Sequence, residues 1–288
     1  MKIEATAERL SIFADNSEFI AEHNAGNNTY TLGHNEFSHL SFAEFESMYL
    51  STPVPRKEGT RMVNAFEGVK AADSVDWATT DAVTPVKNQE SCGSCWAFST
   101  TGGMEGAYFL KNGKQVSFSE QQLVACDTEA DQGCNGGLMD NAFQYIAKEG
   151  LCAEADYPYV SGSGKSPACD SSCTKVDGTV GVTYTDVANT EEALAAAITQ
   201  QPVSVAVDAD RRWQLYRGGI FTHVSGTALD HGILAVGFGA EDGTNFWKVK
   251  NSWASTWGED GYMRMSKDIS QENGPCGITS SASYPTLA

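Results

Sequence analysis

The chain of 288 residues has few basic residues, few histidines and no long apolar run. It carries 19 lysines and arginines against 37 aspartates and glutamates, so its formal net charge is -18. This excess of negative charge argues against binding to nucleic acid or to an anionic membrane surface. A membrane-spanning helix needs about 20 consecutive, mostly apolar residues, and no stretch of the sequence approaches that length. We therefore expect neither nucleic acid nor a membrane among its partners.

The scarcity of histidine bears on the cysteine pair Cys92 and Cys95. A structural zinc site needs four ligands at matching spacing. The sequence has no second C-x-x-C pair, and of its 5 histidines only His223 and His231 follow residue 72. We therefore predict no metal and no cofactor. A redox-active pair belongs beside a βαβ pattern, which is absent here. A disulfide oxidoreductase is the weaker alternative, and it requires Cys92 to pair with Cys95.

The most informative stretch is Gln89–Ser99, which reads QESCGSCWAFS. An apolar helix is predicted from Cys95 to about Leu110, so Cys95 lies in its first turn. Unpaired N–H groups and the helix dipole there favour the thiolate, which is the nucleophilic form of cysteine. The run C-G-S-C-W is the signature of papain and the cathepsins. The chain therefore resembles the papain-like cysteine proteases, of the cathepsin L-like type with an inhibitory prosegment.

The N-terminal part carries two patterns that resemble the prosegment of this family. On a helix predicted over residues 1–24, five residues fall at the family's intervals: Arg9, Phe13, Asn16, Ile20 and Asn24. A second pattern follows at Gly33, Asn35 and Phe37. The chain departs from the family at Ala5, where a glutamate is usual, and at His39, where an aspartate is usual.

The resemblance implies three parts and one fold class. We predict an inhibitory prosegment at residues 1–50, an exposed and cleavable linker at residues 51–72, and a peptidase domain at residues 73–288. The processing point is predicted near Asp73. The expected fold class is α+β: a papain-like, two-lobed fold with a helical lobe and a β-barrel-like lobe, preceded by an α-helical prosegment.

Capping residues and hydrophobic periodicity predict the elements of the two lobes. The predicted helices are Cys95–Leu110, Glu120–Cys126, Leu138–Lys148 and Glu191–Gln200. The predicted strands are Val203–Val207, Ile233–Phe238, Asn245–Lys250 and Tyr262–Met265. Ser119 and Thr190 are the predicted N-caps, and Glu241–Thr244 is a hairpin signal. Because helices come first and strands later, we expect the two lobes to enclose a cleft.

A cysteine nucleophile needs a base, a group that orients the base and donors for the oxyanion. The resemblance implies His231 as the base, since it follows Cys95 within the family's spacing of roughly 130–150 residues. It also implies that Asn251 orients the imidazole. Gln89 is expected to stabilise the oxyanion beside the backbone N–H of Cys95. The other histidine, His223, is interpreted as a solvated loop residue.

The resemblance also assigns residues that bind the substrate. Gly136 and Gly137 are expected to pair with its extended backbone. The pocket for the residue two before the cut is expected to be lined by small or apolar side chains, namely Leu138, Met139, Ala206, Leu229, Gly232 and Ser281. Asp230 and Trp253 complete the predicted set, and Trp253 also shields the catalytic histidine from water. Because the pocket carries no charge, Leu or Phe should be preferred there, and the lack of an inserted loop predicts an endopeptidase.

The 8 cysteines indicate a disulfide framework. The resemblance implies two pairs, Cys92–Cys134 and Cys126–Cys169. The family's bridge in the strand-rich lobe would need a partner for Cys276, and residues 221–230 contain no cysteine. Cys152 and Cys173 bracket the same loop and are predicted to form a third bridge. Cys276 is then expected to be a free and largely buried thiol.

A disulfide framework is typical of the secretory route, so we expect a lysosome-like or vacuole-like compartment or secretion. The first residues, MKIEATAERL, do not resemble a signal peptide. The expected partners are protein or peptide substrates, the chain's own prosegment as inhibitor, and cystatin-type inhibitors, and the chain is expected to be a monomer. The implied function is hydrolysis of peptide bonds through a Cys95 thiolate, a His231 imidazolium and an acyl-enzyme, in a protein made as a zymogen. The alternative is a non-catalytic storage or binding protein, against which the intact Cys95 argues.

Overall fold

The computed structural model describes residues 6–51, 62–63, 66, 68–269 and 271–288. The helices are α1 (Ala7–Ala25), α2 (Phe42–Tyr49), α3 (Cys95–Asn112), α4 (Glu120–Cys126), α5 (Met139–Glu149), α6 (Glu191–Gln200) and α7 (Arg211–Gln214). The strands are β1 (Tyr30–Leu32), β2 (Met62–Val63), β3 (Val75–Asp76), β4 (Thr183–Asp186), β5 (Val203–Val207), β6 (Tyr216–Phe221), β7 (His231–Glu241), β8 (Thr244–Lys250), β9 (Tyr262–Ser266) and β10 (Ala282–Thr286). Within the described residues, no helix combines the length and the apolar character needed to cross a bilayer.

Residues 6–51 form a small unit of two helices and one strand, called the N-terminal unit below. The Thr6 hydroxyl caps α1 by accepting from the Arg9 N–H, and Ser41 forms a capping box with Glu44 at the start of α2. The Arg9 guanidinium also donates to both carboxylate oxygens of Glu44, at 2.7 and 2.5 Å. The first turn of α1 is therefore tied to the first turn of α2.

Helix α1 packs on the rest of the molecule through polar as well as apolar side chains. Phe13 is 42% exposed, and its ring stacks on a histidine ring at 4.4 Å. Asn16 is buried and donates to the carbonyls of Ser38 and Leu40, at 3.0 Å each. Ile20 is the buried apolar residue of the helix. The helix is thus fastened by side-chain amides as much as by apolar contact, because Asn16 satisfies backbone groups that the following loop leaves unpaired.

Helices α3, α4 and α5 pack together as the helical lobe. As predicted, the Ser119 hydroxyl caps α4 by accepting a backbone N–H, and Gly113 and Gly150 end α3 and α5 with positive φ. Helix α5 begins at Met139, one residue later than predicted, because Leu138 has an extended conformation as the N-cap residue. The core of this lobe includes Trp96, Met104, Phe118, Leu123, Phe143 and Ile146.

All three predicted disulfides are present, and all lie in the helical lobe. The pairs are Cys92–Cys134, Cys126–Cys169 and Cys152–Cys173. The second and third pairs anchor the long connection between α5 and β4, which contains only short turns. Cys95 and Cys276 are free and buried, which confirms the prediction for Cys276.

The strand-rich lobe is built on one sheet with the order β1-β6-β9-β8-β7-β5-β10-β4-β2, and β3 pairs with β7. Strands β7 and β8 form the predicted hairpin, in which Glu241 pairs with Thr244. Asp242 and Gly243 lie between them with φ of 50° and 79°, as a two-residue hairpin turn requires. The core of the lobe includes Trp213, Trp247, Trp253, Trp257, Val205 and Phe221.

The two lobes meet where α3 packs on the sheet. The Ser99 hydroxyl donates to the Ile233 carbonyl at 2.7 Å, and the Ser204 hydroxyl donates to the Ser99 carbonyl at 2.8 Å. All three residues are buried. The helix that begins at Cys95 is therefore fixed to the strand that begins at His231.

Both ends of the sheet come from the part of the chain before the predicted peptidase domain. Strand β1 pairs antiparallel with β6, and β2 pairs parallel with β4. The Phe66 ring stacks on Tyr284 at 5.0 Å. This part of the predicted linker is docked on the sheet, which corrects the prediction of a linker exposed along its whole length. Residues 52–61, 64, 65 and 67 of that linker lie outside the described residues, and Asp73 is exposed.

Candidate active site

Cys95 is the first residue of α3 and has no solvent-exposed surface. As the first residue of a helix, its N–H has no acceptor within the helix. Gly232 packs directly on it, since a Cβ on Gly232 would lie 3.3 Å from the carbonyl carbon of Cys95 and 3.2 Å from the Cα of Trp96. The residue before Gly232 is His231. The fold thus brings the predicted nucleophile and the start of β7 into contact.

The His231 imidazole is oriented by a neighbouring strand end. Its Nε2 lies 2.8 Å from Oδ1 of Asn251, the residue that follows β8. The same Oδ1 accepts from the backbone N–H of Ser252 at 2.8 Å, which supports its assignment as the oxygen. Because this oxygen only accepts, Nε2 carries the proton and Nδ1 is the basic nitrogen. Within the described part of the chain, Nδ1 of His231 has no hydrogen-bond partner.

The ring of Trp253 covers this pair. It stacks on the His231 imidazole with 4.4 Å between centroids and 22° between planes, and it is fully buried. The placement agrees with the shielding role predicted for Trp253. His223 is half-buried and lies 3.0 Å from the carboxylate of Asp210, which corrects its interpretation as a solvated loop residue.

Gln89 is buried beside the nucleophile and held from both lobes. The Ser252 hydroxyl donates to Gln89 Oε1 at 2.7 Å, and the Gln89 N–H donates to the Ser252 carbonyl at 2.8 Å. The Gln89 Nε2 group donates to the carbonyls of Cys92 and Tyr49, at 2.8 Å each. Tyr49 is the last residue of α2, so a peptide carbonyl of the N-terminal unit is bound by the predicted oxyanion donor.

The chain after α2 continues across the nucleophile. The Ser51 hydroxyl lies 2.9 Å from Cys95 Sγ, and the Ser51 N–H donates to the Asp230 carbonyl at 2.7 Å. Leu50, between Tyr49 and Ser51, is buried. The N-terminal unit therefore covers the predicted catalytic cysteine.

Burial determines which ionisation states of Cys95 and His231 are favoured. Burial raises the pKa of the Cys95 thiol, although hydrogen bonds from Gly232 and Ser51 act in the opposite direction. Burial lowers the pKa of His231 to about 4, against a smaller raising effect of the bond to Asn251. Both shifts favour the neutral form of each group at neutral pH. The thiolate and imidazolium expected from the sequence are therefore disfavoured in this buried site.

The predicted substrate-binding residues lie on both sides of the cleft. Met139, Ala206 and Leu229 belong to one apolar cluster, and the Ala206 N–H donates to the Ser281 carbonyl at 3.0 Å. Leu138 is half-buried at the start of α5.

Gly137 and Gly136 lie where a side chain would interfere. A Cβ on Gly137 would lie 2.4 Å from the Trp96 ring, so a larger residue would displace that ring. Gly136 has a φ of 128°, which favours glycine. Asp230 is half-buried, and burial raises the pKa of its side chain to about 7.

Sequence reasoning missed several residues that build this site. Ser252 orients Gln89, Ser51 contacts Cys95, and Tyr159 contacts the Gln89 loop through a hydrogen bond of 2.8 Å to the Gln89 carbonyl. Ser252 directly follows Asn251, so that motif could have pointed to it. Across residues 6–51, 68–269 and 271–288, no group of three or more His, Cys, Asp or Glu side chains is arranged to hold a metal ion.

The chain belongs to the papain family of cysteine proteases. The sequence pattern of that family, described as papain family cysteine protease, matches residues 71–286, and the pattern of the cathepsin propeptide inhibitor domain (I29) matches residues 2–45. The predicted boundaries at residues 50 and 72 stay predictions. The fold class is α+β and papain-like, as the sequence predicted.

Named relatives and solved structures agree with this family. The senescence-specific cysteine protease SAG39 of Oryza sativa subsp. japonica is 47% identical over 290 residues, which cover 97% of this chain and 84% of the relative. The probable cysteine protease RD21B of Arabidopsis thaliana is 46% identical over 284 residues, or 96% of this chain, and the chain spans only 60% of that relative. The structure of digestive procathepsin L 3 from the larval midgut of Tenebrio molitor superposes with a TM-score of 0.89 at 39% identity, covering 99% of this chain and 95% of that one. The chain is thus similar to cysteine proteases and to a proenzyme.

Proposed function

We propose that this chain is the zymogen of a cysteine endopeptidase in which Cys95 is the nucleophile and His231 the general base. The observation that carries the proposal is a peptide backbone already bound at the nucleophile. Gln89 Nε2 donates to the Tyr49 carbonyl at 2.8 Å, and two residues further on Ser51 lies 2.9 Å from Cys95 Sγ. A scissile peptide needs the same oxyanion donor and the same proximity to the thiol.

In the proposed mechanism, His231 Nδ1 takes the proton of Cys95, and the thiolate attacks the carbonyl carbon of the scissile peptide. A C–S bond forms as the carbonyl oxygen becomes an oxyanion, which accepts from Gln89 Nε2 and from the Cys95 N–H. The C–N bond then breaks, and His231 gives its proton to the leaving amine. A water molecule that loses a proton to His231 hydrolyses the thioester and restores the thiol.

The N-terminal unit is proposed to inhibit peptide hydrolysis until this unit is removed. It occupies the oxyanion donor through Tyr49 and contacts the thiol through Ser51. It also excludes water from Cys95 and His231, which favours their neutral forms. Removal of residues before about Asp73 should therefore restore both access and the ion pair.

The proposed substrates are proteins or peptides with a bulky apolar residue two before the cut. Met139, Ala206 and Leu229 offer an apolar surface for that residue, and Ser281 adds no charge. Cleavage within a chain, rather than from its ends, rests on the absence of an inserted loop in the sequence. The three disulfides support an oxidising compartment, so we propose a lysosome-like or vacuole-like location or secretion.

The test of the function compares purified variants after removal of the N-terminal unit. Because Cys95→Ala is expected not to process itself, every variant is incubated at acidic pH with the same trace of wild-type enzyme, and that trace alone serves as the blank. Cys95→Ala and His231→Ala should lower the turnover of a Leu-containing peptide by about 10⁴-fold or more. The control variants His223→Ala and Cys276→Ala should retain wild-type turnover.

Turnover by processed Cys95→Ala at the wild-type rate would refute the proposed nucleophile. A processed wild-type protein that hydrolyses no peptide, and whose Cys95 is not labelled by a thiol-reactive epoxide, would instead support the non-catalytic storage or binding protein.

A further inference from the structure

Tyr159 lies on the long connection after α5, outside the predicted catalytic set. Its half-buried ring packs edge-on against Phe98 of α3, with centroids 5.1 Å apart and planes at 72°. The ring therefore approaches the first turns of α3, the helix that begins at Cys95.

The hydroxyl of Tyr159 joins the two halves of the predicted oxyanion site. It donates to the Gln89 carbonyl at 2.8 Å and lies 2.9 Å from the Ser94 hydroxyl. A carbonyl only accepts, so the single phenol proton is used on Gln89. The Ser94 hydroxyl also lies 3.4 Å from the Cys92 carbonyl, and it donates to the phenol oxygen of Tyr159 in the shorter contact. The hydrogen bonds run in one direction, from Ser94 through Tyr159 to Gln89.

The hydrogen bond between Ser94 and Tyr159 takes the place of the helix-capping bond that Ser94 would normally make. Ser94 is the N-cap residue of α3, where a serine hydroxyl normally accepts from a backbone N–H of the first turn. Its side chain makes no such capping bond here. The hydroxyl contacts Tyr159 instead, directly before the residue whose N–H is the second oxyanion donor.

The segment that carries Tyr159 is held by one bond within its own connection and by one bond to α4. The Tyr159 N–H donates to Glu154 Oε1 at 2.9 Å, and the next N–H, of Val160, donates to Gln121 Oε1 at 2.8 Å. Gln121 is fully buried in α4. The phenol is therefore presented from a fixed support rather than from a free loop end.

We propose that Tyr159 is a positioning residue that fixes the relative position of the two oxyanion donors, the Gln89 side chain and the Cys95 N–H at the start of α3. The inference rests on the proposed function, because it concerns the rate of peptide hydrolysis. Ser252 holds Gln89 from the strand-rich lobe, and Tyr159 holds the same loop from the helical lobe. Loss of the phenol hydroxyl leaves the Cys95 thiol and the His231 imidazole unchanged. It weakens the positioning of the hydrogen-bond donors that stabilise the oxyanion.

The test compares two single-oxygen deletions in the same Tyr157-Pro158-Tyr159 run. Tyr159→Phe should lower kcat for a peptide amide roughly tenfold, a fraction of the loss that follows removal of an oxyanion donor, with KM changed less than about twofold. Tyr157→Phe is the matched control, because its hydroxyl accepts from the Asp170 N–H at 3.0 Å. It should leave both constants unchanged.

Alkylation of Cys95 by iodoacetamide separates the donors from the nucleophile, since this reaction forms no oxyanion. Its rate should be the same in processed Tyr159→Phe and in wild type. An unchanged kcat in Tyr159→Phe would overturn the positioning role, and so would a loss of kcat that is matched by an equal loss in alkylation rate. In either case, turnover by the wild-type enzyme would still support the proposed function. A wild type without turnover overturns the proposed function, and the positioning role with it.

A second variant covers the case in which Tyr159→Phe does not fold. Ser94→Ala removes the other end of the hydrogen-bonded link and should also lower kcat with KM nearly unchanged. Where both variants fold, the double variant should lose little more than either single one. Effects on kcat that multiply fully would show that the two residues act independently, contrary to the inference.

Discussion

The two lobes of this molecule are stabilised in different ways. The helical lobe carries all three disulfides, whereas the described residues of the strand-rich lobe carry none and include the free Cys276. The helical lobe includes a long connection with only short turns, so crosslinks replace regular pairing there. The strand-rich lobe has a continuous sheet and four fully buried tryptophans, Trp213, Trp247, Trp253 and Trp257. A sheet whose strands pair across distant parts of the chain constrains its loops without covalent bonds.

This difference matters for the site because each lobe supplies half of it. The helical lobe presents Cys95 and Gln89, and the strand-rich lobe presents His231 and Asn251. Their relative position depends on the contact between α3 and the start of β7.

The largest expected effect comes from opening the longest disulfide loop. The pair Cys126–Cys169 spans 43 residues, so its removal by Cys126→Ala with Cys169→Ala should cost about 4 kcal/mol in the chain-entropy picture. The thermal midpoint should fall by roughly 10 °C, measured by circular dichroism in a Cys95→Ala background to prevent self-cleavage. Cys276→Ala in the same background should shift the midpoint by only about 2 °C, because it removes one buried sulfur atom. Equal shifts in the two proteins would contradict the assignment of covalent stabilisation to the helical lobe.

The next prediction concerns which lobe determines the preference for the substrate residue two before the cut. The proposed pocket would draw Met139 from the helical lobe and Ala206, Leu229 and Ser281 from the strand-rich lobe. Ser281→Glu should reduce the preference for Leu over Arg, two residues before the cut, by about tenfold in kcat/KM, which is about 1.4 kcal/mol, because the carboxylate attracts the guanidinium. The adjacent, exposed Ser280 offers a control, since Ser280→Glu adds the same charge outside the pocket. Faster cleavage of Arg than of Leu substrates by the unmodified enzyme would show that the pocket is wrongly assigned.

The smallest expected effect is a pH dependence in the stability of the N-terminal unit relative to the two lobes it covers. The hydrogen bonds from Arg9 and from Ser41 lower the pKa of Glu44 from 4.5 to about 2. A carboxyl with a depressed pKa in the folded state contributes stability above its unfolded pKa, and this contribution is lost as the pH falls from 4.5 towards 2. In a Cys95→Ala zymogen, protection of the α1 amides against hydrogen exchange should therefore fall about two- to fivefold between pH 6 and pH 3.

Two variants check the origin of this pH step. Glu44→Gln should reduce the step by abolishing the ion pair with Arg9, and the remainder is expected from protonation of His231, whose pKa is lowered to about 4. Glu18→Gln, on the exposed side of α1, should leave it intact. A pH step of full size in Glu44→Gln would mean that other groups govern the release of the N-terminal unit.

Elements with a local chemical signal were predictable from the sequence. Ser119 and Thr190 cap their helices through their hydroxyls, and the turn at Asp242 and Gly243 joins β7 to β8. These features depend on residues within four positions of each other. The strands β4, β6 and β10 were not predicted. Two of them contain residues that disfavour strands, namely Gly218 and Gly219 in β6 and Pro285 in β10, and all three pair with distant partners. The exposure of Phe13 and the burial of Asn16 were likewise not predicted, because both depend on the loop that covers α1.

The sequence by itself determined which side chains meet at the site and which cysteines pair, because residue type and spacing along related chains carry that information. The bond between His231 and Asn251 and the three disulfides agree with those expectations. Only the tertiary structure decided the state of the site. Ser51 lies 44 positions before Cys95 yet contacts its thiol at 2.9 Å. Burial opposes the ionised forms of Cys95 and His231, and burial is a property of the whole fold rather than of any stretch of chain.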